Sequence, residues 1–179
     1  AVVRLRAARE IAWPLIGSCW FWFQGTLLTA LLPLYVAKTG QAEAATSVFF
    51  LMTTLGVAAG ALAASRLIAR ISSTVLVMAV VPVLVLPILD FALAPPSVDL
   101  SGLIRLSLDL AVTSAGAGFY LVPLTAAIQR WTPEIERARF VGISHTLSGS
   151  AMCLGGVVIF VYPLIGLSIS AMFLLMSMA

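Results

Sequence analysis

The chain has 179 residues, 61% of them hydrophobic and only 9% charged, with a mean hydropathy of +1.12. Soluble domains are about half apolar and about a quarter charged, so a water-soluble fold is excluded, along with disorder, coiled coil and a disulfide-rich scaffold. What remains is a polytopic membrane protein with room for about six spans of roughly 20 residues; the net charge of +3 sits in small groups between apolar runs, which marks membrane orientation and excludes a nucleic-acid partner.

The first span is expected from Ile11 to Val36, after Arg9 and Glu10 and before Lys38, Thr39, Gly40 and Gln41. Arg4, Arg6 and Arg9 precede it, but the run is too long and aromatic for a signal peptide, and further spans follow. It carries Trp13, Trp20, Phe21, Trp22, Phe23 and Gln24. The Trp20–Gln24 stretch lies about 10 to 14 residues in, nearer the middle than an interfacial belt. Trp20 and Gln24 share one helix face, so they either pack plainly or line an internal cavity.

The second span is expected from Thr46 to Ser65, stopping at Arg66; Gly56, Gly60 and Ala64 form a small-xxx-small ridge for close helix approach. The third runs from Thr74 to Ala94, closed by Pro95 and Pro96, with Asp90 placed at the interface. The fourth runs from Leu103 to Trp131. Its Arg105 and Asp109 are four apart, share a face and are expected to pair. Asp109 is either a buried carboxylate for a cation, a proton or a substrate amine, or half of a structural ion pair. Gly116 and Gly118 permit tight packing, and Pro123 permits a bend.

The fifth span is expected from Phe140 to Pro163. His145 lies near its start beside Ser144 and Ser148, either as a helix contact or as a substrate-facing group. The last run, from Gly166 to Ala179, is short for a span. With a first residue that is not methionine, the chain reads as a piece of something longer.

These runs are expected to be helices, since no segments of roughly 10 alternating residues mark a barrel. Prolines at 14, 33, 82, 87 and 123 fall inside spans, where neighbours re-satisfy the freed carbonyls. Cys19 and Cys153 lie in apolar stretches and are read as packing residues. A single histidine makes no multi-histidine metal site, and no cofactor is expected. Eight of the ten basic residues (Arg4, Arg6, Arg9, Arg66, Arg70, Arg130, Arg137 and Arg139) fall on one side of the membrane, which orients the N-terminus to the cytoplasm.

Two stretches carry a family resemblance. Trp20-Phe21-Trp22-Phe23-Gln24-Gly25, followed by Leu32-Pro33-Leu34-Tyr35, resembles the seventh helix of the lysophospholipid transporters of the major facilitator superfamily. Gly116-Ala117-Gly118-Phe119-Tyr120-Leu121-Val122-Pro123-Leu124, continuing through Gln129, Pro133, Glu134, Arg137, Ala138 and Arg139, resembles that family's tenth helix and the following loop. Leu108-Asp109-Leu110 also fits, and the match covers nearly the whole chain in order.

The resemblance implies the C-terminal six-helix half of such a transporter, a 3+3 inverted repeat whose N-terminal half is missing. Gly60, Arg66 and Arg70 match the superfamily's short cytoplasmic motif, while Ser65 and Ala69 depart from its acidic residue and glycine. Ser144, His145 and Ser148 stand where the family tends to have asparagines. The implied activity is inward movement of a lysophospholipid, such as lysophosphatidylethanolamine, across a bacterial inner membrane. Trp20, Gln24, Asp109, Tyr120 and His145 are the expected substrate-pathway residues. Gly60, Arg66, Arg70, Arg137 and Arg139 form the expected cytoplasmic gate or meet anionic membrane headgroups.

Some relatives fuse this transporter to an acyltransferase, which needs a histidine and an aspartate separated by four residues. Five positions after His145 stands Ser150, so no enzyme is expected in this chain. Two alternatives remain: a carrier of the same fold for a drug or another small molecule, and a membrane anchor for a fused acyltransferase.

Overall fold

The computed structural model describes the backbone of residues 2–37, 42–94 and 100–178, and the side chains of residues 10–37, 47–94 and 100–178. A long apolar run in lipid has no water for its backbone N–H and C=O groups, and a helix satisfies them within itself. The described residues accordingly form six helices and no strand. They are α1 (Val2–Ala37), α2 (Ala42–Leu67), α3 (Ser73–Leu93), α4 (Leu100–Trp131), α5 (Arg137–Val161) and α6 (Ile169–Met178), with one 3-10 turn at Glu134–Glu136.

The first five helices are long and apolar enough to cross a membrane. At ten residues, α6 is shorter than the roughly 20 a span takes. The helix bounds lie within a few residues of the expected spans, apart from the earlier start of α1 at Val2. The α5–α6 connection also differs. Helix α5 ends at Val161, before Pro163, and the chain turns through Gly166 at φ +75°, a left-handed conformation that glycine adopts without a Cβ penalty. The Ser168 hydroxyl then accepts the Ala171 N–H at 3.1 Å and starts α6. Ser72 caps α3 in the same way through Val75 N–H. Pro14, Pro33, Pro82, Pro87 and Pro123 lie inside continuous helices.

Helix α4 is central, packing on α2, α3 and α1; α5 lies mainly along α1, and α6 along α3. The α2–α4 approach is the tightest. A Cβ added at Gly60 would collide with the Ala115 carbonyl, one at Gly118 with the Val57 carbonyl, and one at Gly56 would come within 2.7 Å of the Ala111 oxygen. The ridge read from the sequence on α2 therefore rests on the α4 backbone itself.

Exchanging the first three helices for the last three maps each helix pairing onto another pairing, although the extensive α3–α4 packing maps onto only a slight α1–α6 contact. The α2–α4 pair becomes α5–α1, α3–α4 becomes α6–α1, α1–α2 becomes α4–α5, and α3–α6 and α1–α4 map onto themselves. Tyr35, Phe91 and Phe173, all fully or nearly fully buried, meet where α1, α3 and α6 converge, with ring centroids 5.5–6.1 Å apart. They belong to the main apolar core near the α3–α4 connection.

Candidate functional site

Polar groups gather in two places. The first is the end of the molecule near the α3–α4 connection. Helices α3 and α4 run antiparallel there, so residues at similar distances from the connection face one another. Arg105 Nε lies 3.3 Å from Asp90 Oδ2. A carboxylate at ion-pair distance from Arg105 thus comes from α3, and the expected intrahelical partner Asp109 lies in the same charged cluster. Asp90 accordingly links two helices and is more than an interfacial residue. The physical reason is tertiary, because an antiparallel neighbour supplies a carboxylate beside the guanidinium while Asp109 sits a turn deeper. Asp109 still shares the electrostatic environment of Asp90 and Arg105, as does Tyr35. The Tyr35 hydroxyl donates to the Ala94 carbonyl at 2.6 Å, tying the end of α1 to the end of α3.

The second place is an open groove of about 80 Å³ between α1, α4 and α5, lined by Ser18, Trp22, Thr125, Ser144, His145 and Ser148 among others. Ser18 and Ser148 are buried, Ser144 is half-buried and His145 is exposed. The helical positions explain the convergence. Ser18 and Trp22 are four apart on α1, and Ser144 and Ser148 are four apart on α5, so each pair forms a stripe. Gly155 brings the two helices close, its hydrogen facing Thr26 and the Phe23 carbonyl.

The five expected pathway residues do not converge on one point. Trp20 is 41% exposed and stacks on Phe23 at 5.4 Å. Gln24 turns toward α6, where its Nε2 donates to the Met176 carbonyl at 3.0 Å, and its Oε1 is buried without a hydrogen-bond partner among the described residues. Tyr120 stacks on Phe21 at 5.8 Å, with its hydroxyl 3.5 Å from the Gly17 carbonyl. Asp109 belongs to the end with Asp90, and His145 to the groove.

Of the expected gate residues, Arg66, Arg70, Arg137 and Arg139 are exposed at the opposite end from Asp90, together with Arg130. Gly60 is not with them: it is buried in the α2–α4 interface and acts as a packing residue there. Arg4, Arg6 and Arg9 lie on α1, with side chains outside the described residues, and Lys38 also lies outside them. Both cysteines are free thiols.

Sequence reading missed Ser18 and Thr125 as groove residues and Asp90 as the partner of Arg105. The signal for Ser18 was its spacing from Trp22. For Asp90 it was the similar distance of the two charges from the helix ends that flank the connection, Asp90 just before Ala94 and Arg105 just after Leu100. No protein-family model, curated protein or solved structure matches the chain.

Proposed function

We propose that the chain is one half of an alternating-access transporter that carries a lysophospholipid inward across a bacterial inner membrane, the exposed arginine end facing the cytoplasm. The observation that carries this reading is the exchanged packing of the helices. Two three-helix units whose pairings interchange are the arrangement expected of an inverted repeat, and they support this reading. The arginine end follows the positive-inside rule.

The groove supports the need for a second half. Its volume of about 80 Å³ is well below the roughly 300 Å³ at which ligand pockets begin. These helices therefore supply one wall, and the missing N-terminal six-helix half would supply the other. An amphiphile suits such a wall. Its headgroup needs a few polar contacts, which Ser144, His145 and Ser148 offer, and its tail can lie against exposed apolar side chains or membrane lipid. Rocking of the two halves would open the site to either side. Trp20, Gln24, Asp109, Tyr120 and His145 line or support the path in this reading, with Asp109 as the charge partner of the headgroup or of a coupled proton.

Uptake of labelled lysophosphatidylethanolamine into vesicles holding the intact transporter tests the proposal. Saturable uptake that other lysophospholipids compete away, and that drugs and small metabolites do not, is the expected result. A well-folded protein with no uptake overturns the cargo. Activity that appears only in a fused acyltransferase would favour the anchor alternative.

A further inference from the structure

Hydroxyls in membrane helices usually bond back to their own helix. Thr26, Thr54, Ser107, Thr113, Thr125, Thr146 and Ser150 all donate to a carbonyl four residues earlier. Ser18, Ser144 and Ser148 form no such bond, nor any other hydrogen bond among the described residues. Yet Ser18 and Ser148 are only 4% and 5% exposed, and both line the groove. Neither hydroxyl oxygen is among the fully buried polar atoms left without a partner, so both open onto the groove. Two such groups on facing helices, lining the same opening, point to something that enters it.

The lining narrows the chemistry of the visitor. Trp22 offers an N–H that can only donate, the three serines offer hydroxyl hydrogens, and His145 offers an imidazole N–H. No carboxylate lines the groove. Arg130 and Arg139 stand two residues along the chain from the lining residues Ile128 and Val141, and both are exposed at that end. Donor-bearing side chains along the groove, with Arg130 and Arg139 close by in sequence, suit an oxyanion, since hydrogen bonds to a charged acceptor are about twice as strong as neutral ones. The groove, of about 80 Å³, has room for a compact tetrahedral group.

We infer that this groove is a phosphate-binding subsite, in which Ser18, Trp22, Ser144, His145 and Ser148 donate to the phosphate oxygens of the cargo's headgroup. The inference rests on the lysophospholipid reading for the source of the phosphate, but not for the chemistry of the groove. The apolar tail would lie outside it.

Equilibrium binding to the intact transporter in nanodiscs tests it, with three probes: lysophosphatidylethanolamine, the monoacylglycerol of the same chain length, and inorganic phosphate. The lysophospholipid is expected to bind at least about tenfold more tightly than the monoacylglycerol. The Ser18→Ala/Ser148→Ala variant should lose about tenfold for the lysophospholipid and nothing for the monoacylglycerol. Equal binding of the two lipids, or a loss in the variant that is equal or absent for both, overturns the subsite. Ser18→Thr keeps a hydroxyl and should retain most of the affinity; a loss equal to that of the alanine form assigns the position to packing and also overturns it. If inorganic phosphate competes at the affinity of the lysophospholipid, the phosphate site stands and its lipid source falls. Uptake measured in parallel separates the two ideas. Transport intact in an unselective groove sinks the subsite alone, and selective binding without transport sinks the cargo cycle alone.

Discussion

The α2–α4 and α1–α5 interfaces occupy equivalent places when the helices are exchanged three for three, yet they are built differently. At α2–α4, Gly56, Gly60 and Gly118 bring one backbone directly onto another, with no space for a methyl group. At α1–α5 the single close glycine, Gly155, has Thr26 and the Phe23 carbonyl 3.1–3.3 Å from where a Cβ would stand. Gly142, Gly149 and Gly156 on α5 meet nothing within 4 Å. One interface is locked by backbone contact. The other leaves a polar groove and a bare helix face, which suits a helix that has a further partner to meet.

Substitution of Gly60 attacks this difference most strongly. Gly60→Leu must separate α2 from α4, so it should cost at least the roughly 1–3 kcal/mol of an overpacked core and more where backbone has to move. The expected readout is loss of monodisperse protein, with even Gly60→Ala lowering the unfolding midpoint in detergent. An alanine variant as stable as the parent would remove the distinction between the two interfaces.

Gln24→Leu comes next. It removes the donor to the Met176 carbonyl that holds α6 against α1, and membrane hydrogen bonds of this kind contribute about 0.6–2 kcal/mol. Faster proteolysis near α6, with α1–α5 intact, is the expected sign. Gly149→Ala should leave the unfolding midpoint unchanged or raise it, because alanine gains up to about 1 kcal/mol of helix propensity and nothing opposes its methyl group. If Gly149→Ala also slows uptake in the proposed transporter, the bare face of α5 would meet its proposed other half during the cycle. The smallest effect on stability is expected for His145→Ala, within about 0.5 kcal/mol for an exposed side chain, whereas lysophospholipid binding should fall severalfold.

Much of the fold was legible before any coordinates. Runs of apolar residues bounded by Arg66, by Pro95-Pro96 and by Arg137 with Arg139 located the helix ends, because lipid forces the backbone to bond within each run. Gly60 was legible as a packing residue from its spacing to Gly56 and Ala64, but its placement in a cytoplasmic gate followed the family motif and not the geometry. The site was much less legible. Arg105 faced two carboxylates, one four residues away on its own helix and one across a connection, and spacing along a single helix favours the first.

The class of molecule, the helix boundaries, the grouping of arginines at one end and the small-residue ridge on α2 were all readable along the chain. These depend on composition and on local periodicity, which the chain carries in every conformation. Packing in three dimensions set which helices touch, that Arg105 meets Asp90, that Gln24 turns to α6, and that Ser18 and Ser148 line one groove. Those contacts join residues as much as 152 positions apart. Between helices in lipid they are selected by shape and by the pairing of a few polar groups, and no pattern along one helix encodes its partner.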